Sequence, residues 1–334
     1  MIDISTEEVF KKYLIDKKIV NENEDVTITY LGGGVSATTA FVKAGGKDML
    51  IKQGLEKLKV KEEWLCDPKR MEVEMRSNDV YYKLVPENVP KVLFYDEENY
   101  VFGREAAPES SRMWKADLMT SLLDYTVAEK VMRTLVIVHN ECAKDSQVAK
   151  EFEDKEIFYE LRIAPYIEFT LQKYPQLVAY AKPIIAELMD SKITLVHGDY
   201  SPKNVVLEER KVFVTDFEVA HYGHPSFDLG FLSNHLVLKA IHIRKHGLGY
   251  LSMLKYILNI YFTEMNYMDK QELEVSFLKL LPLLMLARVD GKSPVEYIVD
   301  EGEKELVRNI ALRLIKEEAF SLKKLFDILE EYVN

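Results

Sequence analysis

The sequence predicts an α+β protein of two lobes: a β-rich N-terminal lobe built on an antiparallel sheet, and a larger, mostly helical C-terminal lobe. Three observations carry that reading. Short β-rich segments bracketed by glycines fill the region before Ala106, helical patterns dominate after it, and one β-rich interruption at 194–216 breaks the second part. No internal repeat or low-complexity linker divides the chain, so the expected lobes are 1–105 and 106–334, joined by a short hinge near Gly103–Pro108.

Taken in order, Ser5-Thr-Glu-Glu8 has the spacing of a capping box and is expected to open a short helix through about Asp16. Val26–Leu31, Thr38–Val42 and Asp48–Lys52 read as strands, linked by Gly32-Gly-Gly34 and by Gly45-Gly46 as hairpin turns would be. Asp67-Pro68 starts a helix in which Met71, Met75, Val80 and Leu84 approximate one apolar stripe, stopped by Pro86 and Pro90. Lys91–Tyr95 and Tyr100–Gly103 form a further hairpin around Asp96-Glu-Glu-Asn99. Helices are expected over Asp124–Lys144, Glu151–Gln172, Lys182–Asp190 and Ser226–His246, and onward to the C-terminus.

Composition narrows the function classes. With 334 residues, 48% hydrophobic and 30% charged, the chain is globular in character and long enough for two lobes. A formal net charge of −11 gives no electrostatic footprint for nucleic acid or an anionic membrane, so neither partner is expected. Cys66 and Cys142 are too few for a disulfide framework and lack metal-ligand spacing, so both are expected as reduced thiols. Met-Ile-Asp-Ile-Ser-Thr-Glu-Glu at the start has neither a basic region nor an apolar run, so no signal peptide is expected. The most apolar stretch, near Leu280–Ala287, is too short to span a bilayer. A cytoplasmic location follows as the expectation, with the oligomeric state left open.

Chemistry concentrates in Leu195-Val-His-Gly-Asp-Tyr-Ser-Pro-Lys-Asn204 and in Val214-Thr-Asp-Phe-Glu218. An apolar run delivers His197-Gly-Asp199 to a turn that Gly198 permits, and Asn204 follows Asp199 by five residues. Asp199 is placed to accept a hydrogen bond from a hydroxyl. Alone it would read as a turn cap, but its spacing to Asn204 and Asp216 decides for function. Asn204 and Asp216 are hard oxygen ligands suited to Mg²⁺, and Glu218 adds a carboxylate acting through water. This arrangement resembles the kinase-like small-molecule phosphotransferases: aminoglycoside phosphotransferases, choline kinases and methylthioribose kinases. In them H-G-D and D-x-E stand where protein kinases carry H-R-D and D-F-G.

The resemblance implies a bilobal protein-kinase-like fold, ATP and Mg²⁺ as cofactors, and transfer of the γ-phosphate to a hydroxyl of a small-molecule acceptor, with Asp199 as base. Lys52, ending the third strand, would hold the α- and β-phosphates. Its helical partner comes from Arg70-Met-Glu-Val-Glu74; the resemblance favours Glu72, with Glu74 an open competitor. Gly33, Gly34 and Ser36 would cover the phosphates with backbone N–H groups. Glu105 and Ala107 would offer main chain to adenine at the hinge. His197 and His139 are expected to be structural, and Asp228, in Gly223-His-Pro-Ser-Phe-Asp-Leu-Gly230, to anchor the catalytic loop.

Three stretches bring the sequence closest to methylthioribose kinases: Ile51-Lys-Gln53 through Trp64 to Glu74, Val89–Glu98, and Ala220–Gly230. A methylthioribose-like sugar is therefore the expected acceptor, with an aminoglycoside or a choline-type amino alcohol as the runner-up. Arg288 stands where methylthioribose kinases carry an arginine pair, and reads equally as a surface cation at a helix end. A protein kinase would need an arginine in place of Gly198 and more than the eleven residues between Asp216 and Asp228. An inactive nucleotide-binding scaffold would have no use for Lys52, Asp199, Asn204 and Asp216 together.

Overall fold

The computed structural model describes residues 2–32, 36–58, 64–108 and 110–333. They form two compact units, Met1–Ser111 with Val206–Val219, and Arg112–Val205 with Ala220–Asn334. The single boundary expected at 105/106 is thus replaced by a division in which 206–219 returns to the first unit. Side-chain bonds explain the return. Asn88 Nδ2 donates to the Val212 carbonyl (3.1 Å), Ser77 Oγ donates to the Phe217 carbonyl (3.3 Å), and the Tyr81 and Phe217 rings lie 4.7 Å apart.

The first unit carries helix α1 (Glu7–Asp16), strands β1 (Thr27–Leu31), β2 (Ala37–Ala44) and β3 (Lys47–Gly54), helix α2 (Arg70–Leu84), and strands β4 (Val92–Asp96) and β5 (Val101–Glu105). The strands make one antiparallel sheet in the order β1-β2-β3-β5-β4, with Lys52 opposite Thr39 on one side and Phe102 on the other. Gly45 and Gly46 turn β2 into β3 at φ +57° and +73°, values that L side chains adopt only with strain. Ala40, Val42, Ala44, Met49 and Ile51 cluster with Phe10 and Leu14 of α1. The two-residue period of β3 sends Lys52, next to Ile51, to the opposite face.

No capping box forms: Thr6 at the N-cap of α1 makes no side-chain cap bond. Burial holds this helix instead, at about 2 kcal/mol for each fully buried aliphatic or aromatic side chain such as Phe10 and Leu14.

The second unit is helical around two short antiparallel strands, Thr194–Val196 and His221–Gly223, which bracket the motif region. Helix Tyr125–Cys142 is capped by Asp124, whose carboxylate accepts from the Thr126 and Val127 amides. Helix Ser226–His242 is buried at every position from Ser226 to Ile241 and packs against helices Gly247–Glu264 and Lys270–Asp290. Burial all round explains its lack of amphipathic pattern.

Two expected helices differ. Glu151–Gln172 is broken after Glu151, resumes at Glu156 and widens into π-helical turns over Tyr159–Glu168, where Pro165 has no N–H to donate to the helical ladder. Ser226–His246 ends at His242, and Gly247 opens a separate helix. No helix among the described residues is long and apolar enough to cross a membrane.

Candidate active site

In the first unit, alternation along β3 buries the Lys52 ammonium against α2. Its Nζ donates to Glu74 Oε1 (2.9 Å) and Oε2 (2.7 Å), and to Asp216 Oδ1 (2.7 Å). The expected pairing with Glu72 is not formed. Glu72 lies on another face of α2 and pairs with Arg76 one turn on. Two residues apart on a helix means about 200° of rotation, so only one of Glu72 and Glu74 can face the sheet.

Asp216 sits at φ +73°, in the left-handed region that costs a non-glycine residue roughly 1–2 kcal/mol. Such strain persists where the surroundings over-determine it, and the bond to Lys52 is one such constraint. Glu218 accepts from Arg70 Nε (3.2 Å), a fully buried guanidinium that also donates to the carbonyls of Cys66 (3.0 Å), Asp67 (2.9 Å) and Leu55 (2.6 Å).

Burial pushes Lys52 down, but Asp216, Glu74 and Glu218 outweigh it and hold the ammonium above its ordinary value. Burial and the carboxylates of Asp216 and Glu218 push Glu74 up to about 7, against the pull of Lys52. Oxygens of Glu74, Asp216 and Glu218 lie within 4.8 Å of one another. All are hard donors, which fits an alkaline-earth cation and not a soft metal.

In the second unit, the strand Thr194–Val196 leads into the H-G-D turn. Gly198 takes φ +75°, which explains why glycine stands there. Asp228, fully buried in the first turn of its helix, receives the His197 amide on Oδ2 (2.7 Å) and the Gly198 amide on Oδ1 (2.9 Å). His139 Nε2 lies 3.3 Å from Asp228 Oδ2, and its Nδ1 lies 2.6 Å from Tyr261 Oη.

Asp199 follows, 3% exposed, with Oδ2 held by Arg162 Nη2 (3.1 Å) and Lys203 Nζ (2.9 Å). Arg162 Nε also donates to the Gly198 carbonyl (2.7 Å), and Asn204 Nδ2 donates to the Asp199 carbonyl (2.9 Å). The loop is thereby fixed at both its backbone and its carboxylate.

Gly33 and Gly34 lie outside the described residues. The Ser36 carbonyl accepts from the Leu55 amide (3.0 Å) and from Arg70. Glu105 ends β5 exposed, its amide donating to the Lys91 carbonyl (2.9 Å), and Ala107 follows half-buried. Sequence reasoning missed Arg70, Arg162 and Lys203. Arg70 stands one helical turn before Glu74 and Lys203 one residue before Asn204, so spacing could have raised both. Arg162, in the irregular helix, carries no such signal.

Residues 27–242 match the phosphotransferase enzyme family. No curated protein matches the sequence. Among solved structures, a choline/ethanolamine kinase family protein from Mesorhizobium loti is 14% identical, covering 96% of this chain and 98% of its own, with a TM-score of 0.56. A spectinomycin phosphotransferase solved with ADP and spectinomycin is 14% identical, covering 95% of this chain and 98% of its own, with a TM-score of 0.54. An amicoumacin kinase solved with AMP-PNP and Ca²⁺ is 11% identical, covering 95% of this chain and 98% of its own, with a TM-score of 0.57. At such identities the likeness speaks for the fold, which is protein-kinase-like with an antiparallel sheet before a helical region. The family match, spanning well over half the chain and both motifs, adds the chemistry: this chain belongs to the phosphotransferase enzyme family and is a small-molecule phosphotransferase.

Proposed function

We propose that the chain moves the γ-phosphoryl group of ATP, bound with Mg²⁺, to a hydroxyl of a small molecule. The observation that carries this reading is Lys52, buried in mid-sheet and bonded at once to Glu74 and to the strained Asp216. A lysine so placed is fixed to meet the α- and β-phosphates. Gly33, Gly34 and Ser36 are assigned the backbone cover of the phosphates, and Glu105 to Ala107 the main-chain contact to adenine. Asp216, Glu218 and Asn204 are the residues that would hold Mg²⁺, whose chemistry is to neutralise charge on the phosphate oxygens.

Asp199 accepts the proton of the acceptor hydroxyl. The hydroxyl oxygen bonds to Pγ as the bond from Pγ to the β-bridging oxygen breaks, and ADP leaves with that electron pair. The acceptor suggested by resemblance is a methylthioribose-like sugar, with aminoglycosides and choline-type amino alcohols as the rival class.

The direct test is ADP production from Mg²⁺-ATP across methylthioribose, other sugars, choline and an aminoglycoside. Acceptor-dependent ADP formation is expected. No turnover with any acceptor, together with no ATP binding in calorimetry, would return the chain to the inactive-scaffold reading.

The same site makes a sharper prediction. Lys52→Met should lower kcat by about 10²–10³, the usual effect of removing one donor from a developing charge. Glu74→Gln should lower it less, because the lysine stays. Glu72→Gln should sit near wild type, since Glu72 pairs with Arg76 near the surface while Lys52 is bonded to Glu74. Steady-state rates of the three variants check this, and a Glu72→Gln loss equal to that of Glu74→Gln would contradict it.

A further inference from the structure

A small cavity in the second unit opens beside the loop that carries Asp199. Its lining includes Lys115, Lys203, His235, Lys239 and Arg288, with Glu296 the one carboxylate among them. Glu296 is already taken by Lys115. Lys203 reaches back to Asp199, so one wall of the cavity belongs to the catalytic loop.

Lys239 is the anomaly. It is 0% exposed, in the last turn of the buried helix Ser226–His242. Its Nζ makes a long bond to the His235 carbonyl (3.4 Å) and lies 5.1 Å from the Tyr297 ring centre, and no carboxylate among the described residues pairs with it. Arg288 is 8% exposed and donates to Tyr166 Oη (3.1 Å), to Ser293 Oγ (3.1 Å) and to the Ser293 carbonyl, likewise with no carboxylate paired to it among the described residues. His235 Nε2, Arg288 Nε and Tyr297 Oη, on residues of the same lining, are buried with no hydrogen-bond partner.

A buried cation without a counter-charge weighs against the folded state, and orphaned polar atoms beside it add to that. A leucine or methionine at 239 would pack this helix without either penalty. Burial, Lys115 and Arg288 push Lys239 down to about 7, against the pull of Glu296. Such a cluster, held at a cost to the fold, suits an anion that arrives from outside.

Size agrees. The room open to water centres is about 40 Å³, space for roughly three waters. That fits a phosphate or carboxylate group, not a whole sugar.

We propose that this cavity binds the anionic group, a phosphate or carboxylate, of the hydroxylated acceptor, so that the preferred substrate is a sugar phosphate or a hydroxy acid. The proposal rests on Asp199 as the residue that meets the acceptor hydroxyl. Neutral methylthioribose would bring no counter-charge to Lys239, and choline or an aminoglycoside would be repelled by the cationic lining.

Two measurements test it. The first uses inorganic phosphate without nucleotide, at constant ionic strength, and reads the melting temperature of wild type, Lys239→Met and Arg288→Gln. Phosphate should raise the Tm of wild type clearly more than that of either variant. Without phosphate, Lys239→Met should melt a few degrees above wild type, because the burial penalty is gone. An equal phosphate shift in all three proteins, or a lower Tm for Lys239→Met alone, would overturn the proposal.

The second measurement is ADP production with sugar monophosphates, hydroxy acids, methylthioribose, choline and an aminoglycoside. An anionic acceptor should give the highest kcat/KM, and the ranking within that class decides between phosphate and carboxylate. Lys239→Met should raise its KM at least tenfold with ATP affinity unchanged in calorimetry. Preference for choline, an aminoglycoside or methylthioribose overturns the proposal while leaving phosphotransfer intact. Failure of phosphotransfer itself would show as no turnover with any acceptor, and the phosphate arm still reads the cavity.

Discussion

Replacing Asp199 with asparagine is expected to lower kcat by about 10²–10⁴, the contribution of a positioned general acid–base group, while the fold and ATP affinity persist. Asparagine keeps the size of the side chain but removes the charge and the site that takes the hydroxyl proton. The loop itself should hold. Arg162 retains its bonds to the Gly198 carbonyl (2.7 Å) and the Leu161 carbonyl (2.7 Å), and Asn204 still donates to the backbone of residue 199. Lys203 has a half-exposed side chain, so losing its ion pair should cost little, whereas losing the buried pair with Arg162 should lower the melting temperature without unfolding the loop. The checks are kcat on the identified acceptor, ATP titration calorimetry and the melting temperature. A variant that folds, binds ATP and turns over at the wild-type rate would remove Asp199 from its assigned role.

Much of the first unit was legible because strand periodicity and glycine-bracketed turns are local signals. Gly45 and Gly46 mark the β2–β3 turn by the backbone geometry they adopt, and the alternation Ile51/Lys52 assigns opposite faces before any contact is known. The choice between Glu72 and Glu74 failed for a physical reason. The stripe Met71, Met75, Val80, Leu84 suggests one helix phase, but the buried face of α2 is Arg70, Met71, Glu74, Ser77, Asn78 and Tyr81. A helix that buries polar groups against a charged site breaks the apolar period on which phase is read. Glu74 then follows Arg70 and precedes Asn78 at the spacing of one turn, a polar period visible only once burial is known.

The cationic cavity was illegible for a different reason. Its residues come from positions 115, 203, 235, 239 and 288, and only His235 and Lys239 share a helical spacing. Arg288, read from sequence as a surface cation or a remnant of an arginine pair, is buried in that lining. In the sequence Lys239 stands in a helical pattern with no distinguishing neighbour. Nothing local distinguishes a lysine that faces water from an enclosed one, because its surroundings come from Lys115, Arg288 and Tyr297, far away in the sequence.

Asp228 was expected to anchor the catalytic loop, and its bonds give that expectation a measurable size. Each carboxylate oxygen accepts a backbone N–H, from His197 (2.7 Å) and Gly198 (2.9 Å), at a position that is 0% exposed. Asparagine offers one acceptor oxygen, so its NH₂ must confront one of those amides, leaving two buried donors face to face. Asp228→Asn should therefore destabilise by roughly 3 kcal/mol or more, since bonds to a charged acceptor are lost and a buried donor is left unmet. Burial pushes the Asp228 carboxyl up, but the bonds from His139 and the His197 amide win and hold it below its ordinary value. Its folded pKa is thus lower than its unfolded one, so the stability it contributes is present above the ordinary carboxylate range and lost as pH falls through the lowered value. The asparagine variant should lack that acid-side dependence. Its kcat should fall as well, because the turn at Gly198 (φ +75°) that delivers Asp199 loses its anchor. Urea unfolding at neutral and acidic pH reads both effects, and a midpoint equal to wild type at neutral pH would show that the two amide bonds do not hold the loop.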